Sequence, residues 1–137
     1  MIVTARLTFS AAHRLNNPNY DADWNRRTYG KCDNPRGHGH NYAIVVSVKG
    51  KIDPETGMVI DLKTLKDIVR RQIIDRVDHT NLNEDVDFLR GVIPTAENLA
   101  RSFWQQIAPA ITEGTLYEIA LQETEKNSVV YRGEDEA

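Results

Sequence analysis

The chain has 137 residues, of which 40% are hydrophobic and 27% charged, so it has the size and composition of one globular domain and is neither disordered nor fibrous. The formal net charge of −3 argues against a nucleic-acid partner, because nucleic-acid-binding domains are usually basic. No apolar run approaches the roughly 20 residues that span a bilayer, and the first residues, MIVTARLTFSAAHRL, lack the basic-then-apolar plan of a signal peptide. A single cysteine, Cys32, excludes an internal disulfide framework. We therefore expect residues 1–137 to form a single cytoplasmic domain without a membrane partner.

The first two predicted elements are strands. Polar and apolar residues alternate over 2–14 and again over 38–49, and this period of two is typical of a strand with one buried face. The segment 15–37 between them is rich in Asn, Arg, Pro and Gly. A connection of this length is often functional.

Two helices follow. Asp61 is a good N-cap, and apolar residues at helical spacing extend the first helix to about Val77. Thr95 is the expected N-cap of the second helix, which Pro109 ends.

The chain closes with two more strands, over 115–124 and 128–132, which complete the order ββααββ. This order predicts an α+β fold, with a four-stranded antiparallel sheet and two helices on one of its faces. Four strands cannot close a barrel, so two sheet edges stay open. Pairing of these edges between copies predicts a homo-oligomer.

Three of the four histidines belong to the predicted strand pair. His38 and His40 lie on one face of the second strand, about 7 Å apart. His13 ends the apolar face of the first strand, which lies opposite the start of the second in an antiparallel pair. A lone histidine in a strand is more often a hydrogen-bonded core residue, but three that converge match a zinc site with a free fourth position.

Cys32 has three interpretations. It is a buried structural thiol, a fourth zinc ligand that closes the site, or a base beside the metal. Lys31 and Arg36 flank it, and their positive charge favours a reactive thiolate. The spacing along the chain does not separate the last two interpretations.

Two further features carry candidate chemistry. Asp78 and His79 follow the first helix and can form a dyad in which the carboxylate orients the imidazole. The alternative is a histidine that interacts with the helix dipole. Glu123 ends the apolar stripe of a strand, where it is either at the solvent edge or buried against a ligand with paired N–H donors, such as a pterin.

Five segments carry a resemblance to a known family, namely FSAAHRL (9–15), GKCDNPRGHGHNY (30–42), VDHTNLN (77–83), PTAEN (94–98) and LQETEKNSVVYRGE (121–134). By these segments the chain resembles the 6-pyruvoyltetrahydropterin synthase family nearly from end to end. The resemblance implies the tunnelling fold, in which three subunits close a twelve-stranded barrel and two trimers stack into a hexamer. The expected oligomer is therefore a trimer or a dimer of trimers.

The resemblance also implies a reaction. A lyase of this family converts 7,8-dihydroneopterin triphosphate into 6-pyruvoyltetrahydropterin with elimination of triphosphate, a step of tetrahydrobiopterin biosynthesis. By the same resemblance, His13, His38 and His40 hold one Zn²⁺ per subunit, and Mg²⁺ assists with the phosphates. The metal would act as a Lewis acid on the substrate side chain.

The remaining roles are likewise implied by the resemblance. Cys32 matches the general base, and Asp78 with His79 matches the proton relay. Glu123 matches the pterin anchor and is both a catalytic and a substrate-binding residue. The segment Thr95 to Glu97 lies where the family lines the pterin pocket, so both of these end residues are candidate substrate contacts.

Three other functions compete with this one. A 6-carboxytetrahydropterin synthase of queuosine biosynthesis uses the same fold and substrate but releases acetaldehyde. Its typical members have three residues between the cysteine and the His-Gly-His element, whereas this chain has the five residues Asp33 to Gly37, the pattern of the pyruvoyl type. A non-catalytic zinc-binding module would include Cys32 in a closed site. An aldolase acting on dihydroneopterin would need no metal.

Overall fold

The sheet contains five strands rather than four. The computed structural model describes residues 1–134, so residues 135–137 of the predicted domain lie outside the described residues. The strands are β1 (Ile2–His13), β2 (His38–Lys49), β3 (Thr80–Asn81), β4 (Thr115–Thr124) and β5 (Asn127–Tyr131). Their order across the sheet is β3-β1-β2-β4-β5.

The prediction of a wholly antiparallel sheet is wrong, because β3 pairs with β1 in parallel. The other three pairs are antiparallel, as predicted. Backbone hydrogen bonds hold β3 in place, since His79 N–H donates to the Ser10 carbonyl oxygen and Leu82 N–H to that of Ala12. A two-residue strand is too short to leave an alternating pattern in the sequence, which is why the pattern did not reveal it.

Four helical segments accompany the sheet: α1 (Ala22–Tyr29), α2 (Leu62–Val69), α3 (Asp75–Val77) and α4 (Ala96–Ile107). A π-helical turn, Arg70–Ile74, joins α2 to α3, so residues 62–77 form the one continuous helix that the sequence predicts. Both predicted N-caps are confirmed. The side chain of Asp61 accepts a hydrogen bond from Lys63 N–H at 2.9 Å, and that of Thr95 accepts one from Asn98 N–H at 3.2 Å.

Helix α1 lies inside the segment expected to be a loop. Its N-cap is Asp21, whose carboxylate accepts a hydrogen bond from Trp24 N–H at 2.8 Å. The one residue that it buries is polar Asn25, so the helix has no apolar stripe from which it could be recognised. The two-helix prediction is therefore incomplete, although the α+β class is confirmed.

The hydrophobic core fills the space between one sheet face and the helices. Along β1, Ala5, Phe9 and Ala11 are buried, whereas the alternate residues Thr4 and Arg6 are exposed. Fully buried partners on the helices include Leu65, Ile73, Leu99, Phe103 and Ile107. Each such side chain contributes about 1.5–3 kcal/mol by leaving water. This packing fixes β1 and β2 against the helices, and the histidines extend the same face.

Within residues 1–134, no helix is both long and apolar enough to cross a membrane.

Candidate metal centre and surrounding site

Three imidazoles converge at the end of the β1–β2 pair. His13 lies directly opposite His38 in the strand register, and His40 follows two residues later on the same face of β2. The ring centroids are 4.6 Å apart for His13 and His38, 5.0 Å for His13 and His40, and 4.8 Å for His38 and His40. One nitrogen from each ring lies within 4.8 Å of the others. The strand pairing therefore brings the three side chains together as the sequence predicts.

A backbone carbonyl orients His13. Its Nδ1–H donates to the carbonyl oxygen of Pro94 at 2.8 Å, which leaves the Nε2 lone pair directed at the cluster, 3.1 Å from Nε2 of His38. Burial lowers the pKa of His13 from 6.5 to about 4, although the Pro94 carbonyl opposes this shift. The ring is therefore neutral at pH 7, as a metal ligand must be.

His40 carries a buried nitrogen that lacks a partner. Its Nε2 has no hydrogen-bond partner within residues 1–134, and the nearest carboxylate oxygen, Oε1 of Glu123, is 3.9 Å away. That distance is too long for a hydrogen bond. Burial lowers the pKa of His40 despite this carboxylate, so the two groups are not an ion pair at neutral pH.

The chemistry of this donor set fits a zinc ion. A buried polar atom without a partner costs about 1–3 kcal/mol, and a metal ion bound among the three rings would remove that cost. Neutral imidazole nitrogens suit zinc, and three protein ligands leave a position for substrate. Within residues 1–134 the cluster consists of histidines alone, which disfavours Cys32 as a fourth ligand.

Tyr42 supports the cluster and did not figure among the predicted site residues. Its hydroxyl lies 3.4 Å from Nδ1 of His13, and its ring stacks on Phe9 with centroids 4.7 Å apart. Burial raises the pKa of Tyr42 well above its usual range, so the phenol stays protonated. The alternation of β2 could have revealed it, because Tyr42 continues the face of His38 and His40.

Cys32 lies in a tightly held turn at the end of β1. It belongs to the 3-10 turn Gly30–Asp33 that follows α1, and its thiol is free and half-buried. Its carbonyl oxygen accepts a hydrogen bond from Leu15 N–H at 2.8 Å. Arg14, the residue after His13, forms an ion pair with Asp33 at 3.0 Å. Hydrogen bonds and charge thus tie the cysteine turn to the end of β1.

Asp78 and His79 form a dyad at the edge of the sheet. Oδ2 of Asp78 lies 3.0 Å from Nδ1 of His79, and Oδ1 accepts a hydrogen bond from Ser10 N–H at 2.9 Å. That backbone hydrogen bond, together with His79, lowers the pKa of Asp78. His79 and His40 both border a cavity of about 370 Å³, but within residues 1–134 no hydrogen bond or ion pair joins the dyad to the histidine cluster.

Within residues 1–134, neither Thr95 nor Glu97 forms a hydrogen bond or ion pair with the three histidines. The Thr95 hydroxyl caps α4, and the adjacent Pro94 supplies the carbonyl that orients His13. Glu97 is exposed and borders a cavity of about 200 Å³ between α4 and β5. Glu123 is the predicted substrate-binding residue that does lie beside the cluster, with its side chain 24% exposed.

The fold and site define a class of protein, an α+β domain with a three-histidine centre at the end of a strand pair and a carboxylate beside it. A family model described as 6-pyruvoyl tetrahydropterin synthase matches residues 2–134. The chain belongs to this family, which confirms the resemblance found in its sequence motifs.

Comparison with individual relatives supports this family assignment. The 6-pyruvoyl tetrahydrobiopterin synthase of Poecilia reticulata is 48% identical over 132 residues, which cover 96% of this chain and 90% of that protein. The human protein of the same name is 44% identical, with 96% and 91% covered. The solved 6-pyruvoyl tetrahydropterin synthase of Caenorhabditis elegans is 40% identical and superposes with a TM-score of 0.89, covering 97% of this chain and 96% of that one.

Proposed function

We propose that this chain is a zinc-dependent lyase that converts 7,8-dihydroneopterin triphosphate into 6-pyruvoyltetrahydropterin and releases triphosphate. Membership of the family supports an enzyme of this type, and so does the identity of 48% and 44% with proteins named 6-pyruvoyl tetrahydrobiopterin synthase. The structural observation that carries the proposal is the histidine triad, with three nitrogens within 4.8 Å of one another.

His13, His38 and His40 are the residues that would hold the zinc. When bound, the metal supplies Lewis acidity that polarises the oxygens of the substrate side chain and makes the neighbouring C–H groups more acidic. The chain prepares the ligands in advance, because the low pKa of His13 and His40 keeps both rings neutral. The Pro94 carbonyl fixes the tautomer of His13.

Glu123 would anchor the pterin. A carboxylate can accept two parallel hydrogen bonds from the 2-amino and N3–H groups of a pterin. Glu123 lies 3.9 Å from Nε2 of His40, which supports this role. A pterin ring bound to Glu123 would lie next to the metal ligands, and the side chain of the substrate would lie over them. Thr95 and Glu97 are proposed as further substrate contacts on the strength of the family motif.

Cys32 would act as the general base. Its turn is held to the end of β1 by the Arg14–Asp33 ion pair, so the thiol would be positioned next to the substrate carbon that loses a proton. Asp78 would hold His79 Nδ1, which leaves Nε2 of that exposed ring free to exchange protons. Together they would move protons along the substrate side chain.

We further propose a homo-oligomer, a trimer or a dimer of trimers, in the cytoplasm, with Mg²⁺ assisting at the phosphates. The exposed strand β5, on which the Val130 side chain is 56% exposed, supports association at this sheet edge. Sedimentation of a monomer would contradict the oligomer.

The decisive experiment is product analysis. The zinc-loaded protein is incubated with 7,8-dihydroneopterin triphosphate, and the products are identified by mass. We expect 6-pyruvoyltetrahydropterin and triphosphate, with turnover abolished by a chelator and restored by zinc. Release of acetaldehyde would instead identify a 6-carboxytetrahydropterin synthase, and no turnover with intact zinc binding would indicate a non-catalytic module.

A further inference from the structure

A cavity of about 800 Å³ lies between the end of β1, helix α1 and the turn that contains Cys32. We call it the loop cavity. Its charged lining consists of Arg14, Arg26, Lys31 and Asp33. None of the roles proposed above uses this space.

The loop cavity concentrates positive charge in an acidic protein. Three cations face one carboxylate there, although the whole chain has a net charge of −3. The carboxylate of Asp33 is already engaged, because it pairs with Arg14 at 3.0 Å and accepts a hydrogen bond from Asn16 at 2.7 Å. The positive charge that lines the cavity is therefore not fully neutralised and remains available to bind an anion.

Two of the cations are free to bind such an anion. Lys31 is exposed and forms no ion pair within residues 1–134. Arg26 has only Asp23 at 4.0 Å, and both of these side chains are more than two-thirds exposed. Exposed pairs of this kind contribute little, so a phosphate could replace Asp23 at almost no cost.

Hydrogen bonds hold the walls of the loop cavity in place before any ligand arrives. Asn25, 1% exposed, donates its amide protons to the carbonyl oxygens of Asn17, Tyr20 and Asp21. Its own side-chain oxygen accepts a hydrogen bond from Asn17 N–H at 2.6 Å. These contacts fasten α1 to the loop before it, and a wall that is already ordered loses little entropy on binding.

The position of the loop cavity suits one end of the proposed substrate. In the sheet register, Gln122, next to Glu123, pairs with Ala43, whereas His38 pairs with His13 at the end of the strands. A ligand anchored at Glu123 that passes the three histidines is therefore directed toward the end of β1. The loop cavity begins there, at Arg14.

We propose that the loop cavity binds the triphosphate group of the substrate, an inference that rests on the proposed function. Arg26 would contact phosphate oxygens through its planar guanidinium, and Lys31 would add a compact positive charge. Arg14, held by Asp33, forms the fixed wall between this subsite and the histidines. The triphosphate would thus be held where it is eliminated, next to the turn that contains the proposed base, Cys32.

Inorganic tripolyphosphate is the probe for this subsite. It is titrated calorimetrically into the full-length zinc-loaded protein and into the variants Arg26→Gln, Lys31→Gln and the double variant. We expect each single change to weaken binding several-fold and the double change about tenfold or more, since each removes one charged contact at a solvent-exposed side chain. Zinc content is measured after each titration, so that removal of the metal by the probe is seen.

Arg27→Gln is the matched control. Arg27 is exposed on the same helix and carries the same charge, but it is not part of the cavity lining. We expect this variant to bind tripolyphosphate as the parent does. Equal weakening by Arg27→Gln and Arg26→Gln, or no binding by the parent protein, would overturn the inference.

Kinetics separates this inference from the proposed function. If the parent protein turns over dihydroneopterin triphosphate, the double variant should show a KM raised about tenfold and unchanged binding of neopterin, which has no phosphates. An unchanged KM would refute the subsite and leave the lyase intact. If the parent protein binds tripolyphosphate through Arg26 and Lys31 but has no lyase activity, the anion site stands and the proposed function fails.

Discussion

Acidification should destabilise the metal-free protein through His13. This side chain is 1% exposed, and burial lowers its pKa from 6.5 to about 4. Between these two values the unfolded chain binds a proton at His13 that the folded chain does not. The free energy of unfolding therefore has its full value above pH 6.5 and decreases as the pH falls towards 4. One pKa unit corresponds to 1.36 kcal/mol, so the loss from this residue amounts to about 3 kcal/mol.

Urea unfolding of the full chain in the presence of a chelator, between pH 7.5 and pH 4, measures this loss. The comparison is the variant His13→Asn, whose side chain does not titrate but can still donate to the Pro94 carbonyl. Carboxylates and the other histidines titrate in both proteins, so the difference between the two pH profiles reports His13. We expect the variant to lose about 3 kcal/mol less on acidification. Parallel profiles would refute the assignment of a buried, neutral His13.

Three further predictions concern the site. Zinc at about 100 times its Kd should stabilise the parent protein by about 2.7 kcal/mol, which is measured as a higher Tm. The variant His38→Ala should show no such rise in Tm. An equal rise in this variant would place the metal elsewhere. Cys32→Ala should keep zinc and fold but lower kcat about 100-fold or more, the contribution expected of a general base; loss of zinc from this variant would contradict that role. Glu123→Gln should raise the KM for substrate about tenfold or more, because a charge-assisted bidentate contact is lost. The zinc content of this variant should stay constant. A parallel loss of zinc would make Glu123 part of the metal site.

The main elements and the triad could be predicted because their signals are local. A strand with one buried face alternates along the chain, so β1 and β2 were visible as patterns of period two. Once these strands are paired, the spacing of His13, His38 and His40 places three rings on one face. The helix caps Asp61 and Thr95 were predictable for the same reason, because each cap bonds to a backbone N–H only two or three residues away.

Tertiary structure alone decided the rest. The Pro94 carbonyl meets His13 across 81 residues of sequence, and β3 exists only because residues 79–82 meet β1. Helix α1 was hidden because it buries polar Asn25, so no apolar stripe marked it. The path of the chain also decided which candidates meet, for it put Glu123 beside His40 and brought His79 to the same cavity as His40. Local patterns record which face of an element is buried, whereas contacts between distant segments depend on how the elements pack.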